Sequence, residues 1–529
     1  MKDFDVIIIG SGVGGLITAN LLAMQGCRVC VLEKNKQVGG ALQVYVRNRV
    51  IFDTGVHYLG GLDKGQNLYK IFDYLGIMQG LKLKKMPEIF DRIIIEGDEK
   101  VYELHQGYEN FIQGLLKDFP EEENGIRTYC AMMQNVCSKF PLYNLRSGGS
   151  FEEKSEVMDI DARTYIDSIT SNQKLRDVLA GNNMLYAGQP EKTPFYVHAL
   201  ILNSYIESSW KCVDGGSQIA KLLVRNITRL GGVVKIHREV VKLTEQDGIV
   251  IAAELSDGSV MTADKFISNV HPVQTMKMVG NSVIRNSFRS RISSLENAVS
   301  SFTVDIILKK DCFPALDSNY YYHKSGAAWN GPSCPPENWP NVYAIFKPEY
   351  SEKFGGTSEK KDGDRQVQKY ARSISLLTYM NFHEVAAWQD SFNTVSQEKS
   401  RGEAYEAFKK EKAEKLIELV SEKFPYLRDC IDTYYTATPL SYRDYMGNSD
   451  GTMYGIVKDV ADPLKTMISP KTRIQNLFLT GQNLNMHGIL GVAMSALQTI
   501  VAITGSEAVI DDIREGNQPV PEKSPQTIS

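Results

Sequence analysis

Gly10-Ser11-Gly12-Val13-Gly14-Gly15 follows the apolar residues 6–9 and precedes a stretch that places Leu16, Ala19, Leu22 and Ala23 on one helical face. Each glycine has its own use beside a pyrophosphate. Gly10 permits a tight turn, Gly12 lets the backbone approach the phosphates, and Gly15 lets the helix sit close to the strand. Ser11 and Gly14 complete the turn, and the helix start points its amide groups and positive dipole end at the anion. Gly26 stops the helix, and residues 27–33 read as a second strand ending in Glu33, placed to accept a hydrogen bond from a ribose hydroxyl. Glu33 also disfavours a cofactor carrying a 2′-phosphate, because two negative charges would meet. A glycine turn alone is a weak signal. Strand, helix, strand and terminal acid in register make it a dinucleotide-binding unit.

Other reactive side chains stand beside glycines. Phe52-Asp53-Thr54-Gly55-Val56 runs into His57 and Tyr58, two candidate proton donors. The competing reading makes His57 a hydrogen-bonded wall residue and Tyr58 a packed aromatic. Late in the chain, Leu477-Phe478-Leu479-Thr480-Gly481-Gln482 reads as a strand with a glycine end. A helix follows from Gly488-Ile489-Leu490-Gly491, and its glycine-rich start aims backbone donors at an electron-rich group. His487, just ahead of it, has a weaker claim, since a loop histidine is commonly solvated. Cys27 and Cys30 form a C-x-x-C, but on a strand their odd separation points them to opposite faces, which favours buried cysteines over a redox pair. No metal-ligand spacing stands out.

The elements that position these residues are discontinuous. A chain of 529 residues suggests two or three domains. Residues 1–90, 206–275 and 431–514 carry the strand-and-helix material of one α/β nucleotide domain. Within it, Gly215-Gly216-Ser217 leads into a helix over 219–230, a strand over 233–240, and a hairpin turning at Asp257-Gly258 before Phe266-Ile267-Ser268-Asn269. Residues 91–205 and 276–430 are mixed and aromatic, and read as an inserted α+β substrate domain. The apolar run 193–202 and Tyr320-Tyr321-Tyr322 would build its chamber, although core packing is the stronger reading for any single residue there. Residues 351–369 read as a mobile surface loop, and 515–529 as a disordered tail.

Composition narrows the class. The formal net charge of −4 comes from 59 basic and 63 acidic residues interspersed without a basic stripe, which argues against a nucleic-acid partner. Eight scattered cysteines fit a reducing, cytoplasmic setting better than a disulfide framework. No run of about 18 apolar residues lacks a charge or break, so no segment is expected to span a bilayer, while peripheral membrane contact stays open. Oligomeric state is not legible.

Together these landmarks resemble the flavin-dependent phytoene desaturase, carotenoid isomerase and all-trans-retinol 13,14-reductase (retinol saturase) family over nearly the whole chain. The resemblance rests on the Gly10 to Gly15 turn, Glu33-Lys34 with Gly39-Gly40, Phe52-Asp53-Thr54-Gly55, and His198-Ala199-Leu200 through Asn203 and Tyr205 to Gly215-Gly216-Ser217. Thr438-Pro439-Leu440, Gly451-Thr452-Met453-Tyr454-Gly455 and Thr480-Gly481-Gln482 extend it, and the retinol saturase branch looks nearest. It implies a Rossmann-like FAD-binding domain of the glutathione-reductase/amine-oxidase type. It implies that Gly10, Ser11, Gly12, Gly14 and Gly15 hold the pyrophosphate and Glu33 and Lys34 the adenosine ribose. Gly40, Ala41 and Leu42 would line the extended cofactor and Val240 would meet the adenine. Gly55 and Val56 would lie near the ring, Gly481 and Gln482 by the ribityl chain, and Gly488, Ile489 and Leu490 at the pyrimidine edge. Two positions depart from the family pattern: Ala41 stands where a basic residue is common, and Gln482 where an acid is common.

The resemblance implies an oxidoreductase acting on C=C bonds of an apolar polyene or isoprenoid-like substrate, by hydride transfer from flavin N5, with NAD(P)H or another reductant as donor. Desaturation and isomerisation remain alternatives, as does a non-redox prenyl-lipid-binding chaperone on the same fold. An amine oxidase with flavin tethered to a late cysteine would need one, and the last here is Cys430.

Overall fold

Short, β-branched apolar runs form the first sheet of the computed structural model, which describes residues 2–280, 284–355, 358–362 and 365–517. Its strands are β1 (Phe4–Ile9), β2 (Val29–Leu32), β3 (Val233–Lys235), β4 (Ala263–Ser268) and β5 (Leu477–Leu479), in spatial order β3-β2-β1-β4-β5. Every pairing is parallel, with Val6 opposite Val29 and Lys265 on its two sides. Parallel strands are buried on both faces, which is why β2 and β5 are apolar throughout. Helix α1 (Val13–Met24) is mostly apolar and almost wholly buried, packed between helix α3 (Ser217–Arg229) and helix α4 (Gly488–Thr504). Sequence stretches more than 200 residues apart thus meet in one layer.

The expected strand over 233–240 is broken. β3 ends at Lys235, His237 takes a positive φ of 54°, and Arg238 N turns back to donate to Glu33 O at 2.8 Å. Val240 then begins a separate three-stranded antiparallel sheet with Ile249–Leu255 and Val260–Met261. Cys27 lies ahead of β2 and is half-buried, rather than on the strand; Cys30 is buried in it, and burial pushes its thiol up to about 12.

A seven-stranded sheet carries the remainder, in the order Ile431–Ala437, Ser300–Leu308, Ser373–Met380, Val342–Phe346, Asn319–His323, Ile89–Ile95, Val101–His105. It is antiparallel except where Asn319–His323 runs parallel to Ile89–Ile95. Strand Ile431–Ala437, read from sequence as part of the nucleotide domain, is its edge strand beside Ser300–Leu308. One face buries a core shared with helix Glu123–Ser138 and helix α2 (Phe195–Glu207). Part of the expected loop 351–369 is instead an antiparallel ribbon, Ser358–Asp362 with Arg365–Tyr370. Helix Ala508–Glu515 reaches the start of the expected tail, which from 518 lies outside the described residues.

Cys312 and Cys430 are joined in a disulfide, which the expectation of a reducing setting did not include, while the other six cysteines are free. Among the described residues, no helix is long and apolar enough to cross a membrane.

Candidate cofactor cleft and apolar cavity

A cleft of about 530 Å³ runs along the carboxyl edge of the parallel sheet. Its walls come from the chain just after β1 (Gly10, Ser11, Gly12, Gly14), after β2 (Glu33, Lys34, Asn35), after β4 (Asn269, Val270, His271) and after β5 (Gln482, Asn483). Ligands of open α/β sheets bind at this edge. Two helices start at the cleft, α1 after Gly12 and α4 after His487, and neither has a side-chain cap. Their first amide groups therefore have no side-chain acceptor, and an electron-rich ligand would satisfy them.

The glycine turn is held from behind. Gly10 has a φ of +92°, and a Cβ on Gly15 would lie 2.3 Å from Gly10 O, so the helix cannot approach the strand with any larger residue. Glu33 is buried and its Oε2 accepts from Ser11 N at 3.0 Å and Ser11 Oγ at 2.5 Å, while Oε1 accepts from Asn35 N at 2.8 Å. The acid at the end of β2 braces the turn as well as facing the cleft, a second job that sequence reading did not give it. Oε1 keeps a free lone pair for a ligand hydroxyl.

Of the expected cofactor residues, Gly40, Ala41, Leu42, Gly55, Val56, Val240, Gln482, Gly488 and Ile489 also line the cleft. Gly15 and Gly481 shape it from behind, both packed on Asn269. Leu490 faces a different cavity, described below. Sequence reading missed Asn269 as a hub: its amide contacts the Gly10, Gly12, Gly14 and Gly481 positions. It also missed the closing segment Tyr445-Met446-Gly447, which lines the cleft from the end of helix Pro439–Met446. Lys34 Nζ donates to Asp444 O at 3.1 Å, and Asn35 Nδ2 to Tyr445 O at 2.7 Å, tying this segment to β2. Burial lowers the Lys34 amine. The only sequence signal was Gly447 ending a helix.

The second cavity, about 340 Å³, lies between α2 and α4. Tyr196, Leu200, Ile201, Ser204 and Tyr205 face it from α2, and Gly488, Ile489, Leu490 and Met494 from α4. Within the run 193–202, Phe195 and Ala199 are core residues instead, and His198 is buried between Tyr129 Oη at 2.6 Å and Tyr186 Oη at 2.7 Å. Gly488 and Ile489 stand on the walls of both cleft and cavity, so the two spaces meet at the start of α4.

Neither His57 nor Tyr58 lines the cleft or the cavity. Tyr58 is buried, its hydroxyl 2.9 Å from Asp91 Oδ2 and 2.8 Å from Tyr321 Oη. The His57 ring stacks on Phe346 with centroids 4.1 Å apart, and burial pushes its imidazole down to about 3. Both therefore fit the packing reading better than the proton-donor reading. His487 does face the cavity; its Nε2 lies 3.0 Å from Leu185 O and burial pushes it down to about 4. A carbonyl only accepts, so Nε2 carries the proton and Nδ1 is left as an acceptor.

Comparison with known proteins agrees with this arrangement. The chain is 26% identical over 545 residues to an all-trans-retinol 13,14-reductase of Danio rerio, covering 94% of this chain and 85% of that protein. It is 24% identical over 526 residues to prolycopene isomerase 1 of an Oncidium hybrid cultivar, covering 94% and 83%. A solved triple mutant of putrescine oxidase shares the fold, with a TM-score of 0.62 at 11% identity, covering 95% of this chain and 99% of that one. The model of the flavin containing amine oxidoreductases matches residues 13–321, more than half of the sequence, and the chain belongs to that family of flavin-containing oxidoreductases.

Proposed function

We propose that this protein is an FAD-dependent oxidoreductase that reduces a C=C bond of an apolar polyene or isoprenoid-like substrate. The observation that carries the reading is the meeting of an apolar cavity with the nucleotide cleft at Gly488 and Ile489. Bound FAD supplies hydride transfer at its N5 atom. Gly10, Ser11, Gly12, Gly14 and the start of α1 would neutralise its pyrophosphate, a task that falls to backbone donors because Ala41 brings no charge. Glu33, Lys34 and Val240 would hold the adenosine end, Gly40, Ala41 and Leu42 the middle, and Gly55, Val56, Gln482, Gly488 and Ile489 the ring end, with Gly15 and Gly481 as their packing. Leu490 belongs to the substrate side.

The chain's own residues exclude water from the cavity through Leu200, Ile201, Leu490 and Met494. Tyr58 supports this wall from behind, its ring centroid 4.4 Å from that of Tyr205. Phe151, 42% exposed at the cavity rim, supports loading from a membrane surface. The relatives named for retinol reduction favour reduction, and those named for prolycopene isomerisation favour the isomerase alternative. Anaerobic reduction of the purified protein followed by a screen of alkenes tests the choice. Flavin reoxidation with a saturated product supports reduction, an isomerised product without net reoxidation supports the alternative, and colourless protein that takes up no FAD rejects both.

A further inference from the structure

Resting on the reading that the apolar cavity takes the substrate, we propose that its ligand is a long-chain lipid acid. Lys154 would hold the carboxylate at the mouth, and the chain would lie along α4 toward Gly488 and Ile489. The two ends of the cavity are fixed by contacts. Gly148 N donates to Glu507 Oε2 at 2.5 Å and Ser147 Oγ to Asp511 Oδ1 at 2.8 Å, which sets the rim segment at the C-terminal end of α4. Gly488 stands at the other end, where cavity and cleft meet. From Gly488 to Val501, both on the cavity wall, the helix rises about 20 Å. That is room for an extended acyl or prenyl chain.

Lys154 is half-buried on this wall, its amine 5.6 Å from the centre of the Phe151 ring. The other charges at the mouth are engaged. Arg146 pairs with Glu153, and the Glu507 carboxylate accepts from Gly148 N. Among the described residues no acid pairs with Lys154; burial lowers its amine, and no neighbouring carboxylate offsets that. A cation partly withdrawn from water without a counter-ion gains most from an incoming anion, through a charge-assisted hydrogen bond. A hydrocarbon would leave it bare, and an alcohol would give it only a neutral partner. Phe151 is exposed on this wall while Lys154 beside it is half-buried, so the anion expected there is the ligand's own rather than a bilayer headgroup.

The test compares cis-parinaric acid, a fluorescent conjugated tetraenoic acid, with its methyl ester in titrations of the purified full-length protein. We expect the acid to bind about tenfold more tightly than the ester. Lys154→Gln should remove that preference while leaving ester binding unchanged, and Lys154→Arg should keep it. Equal binding of acid and ester by the wild type, or an equal loss of both in Lys154→Gln, overturns the proposal. Failure of either ligand to bind overturns the cavity reading along with it. A Lys154→Gln protein that loses phosphatidylglycerol vesicles in flotation, yet keeps the wild-type acid-to-ester ratio, shows that the cation serves a bilayer and also overturns the proposal.

Discussion

Glu33 links the glycine turn to the end of β2, and its substitution separates two roles. In Glu33→Ala the buried Ser11 amide loses its acceptor, which costs about 1–3 kcal/mol, whereas Glu33→Gln keeps one oxygen to accept it. We expect urea unfolding to show the larger loss for alanine and the flavin-to-protein absorbance ratio to fall in both. His57 offers a pH-dependent counterpart. Burial pushes its folded imidazole down to about 3, while the unfolded chain takes up a proton near pH 6.5. The stability it contributes is therefore complete above pH 6.5 and is lost as pH falls below that value toward 3. His57→Phe removes this term, so between pH 7 and pH 5 the variant should lose less unfolding free energy than the wild type, by an amount on the order of 1 kcal/mol. Identical pH dependence in paired urea titrations would show that His57 is solvated. Adjacency to Gly55 and Val56 made His57 and Tyr58 look like donors; sequence does not tell which way a side chain turns once the strand has passed the cleft.

At the scale of elements, α1 reaches its place only because Gly15 lets it pass over Gly10. Gly15→Ala forces a Cβ against the Gly10 carbonyl and should shift α1 as a unit, costing about 1–3 kcal/mol and most of the bound flavin. Gly26→Ala is the control: its φ of +84° is strained for alanine, but no atom lies within 4 Å of the added carbon, so it should cost about 1 kcal/mol and leave flavin content intact. Absorbance spectra of the two purified variants decide this. The turn was legible because strand, glycines, helix and acid lie within 30 residues and each obeys a local rule. Asn269 and Tyr445-Met446-Gly447 were not, because nothing near them in sequence announces the cleft; they arrive there through the pairing of β4 with β1 and the bonds of Lys34 and Asn35. The 233–240 segment looked like one strand since its apolar residues continue past the bend that His237 imposes.

Across the whole molecule, the segments flanking the seven-stranded sheet are stapled by Cys312 and Cys430, 118 residues apart, a spacing that carries no signature in the chain. Closing so long a loop restricts the unfolded ensemble, so reduction should lower stability by about 2–4 kcal/mol. Thermal unfolding with and without reductant, and of a Cys312→Ser, Cys430→Ser double variant, measures it; an unchanged midpoint would mean that the pair is not bridged in solution. The union of three distant stretches in one parallel sheet was readable from their apolar runs and glycines, whereas the seven-stranded sheet was not, because its strands pair across long separations and one of them, Ile431–Ala437, sits next in sequence to nucleotide-binding material.

The course of α4 has a consequence for selectivity. Were a headgroup seated at one end and the point of attack at the other, the helix would work as a ruler, and regiochemistry would be counted in carbons from the anchored end. Chains of different length would then react at the same numbered bond, and the surplus or missing carbons would be felt only in how well the far tail fits.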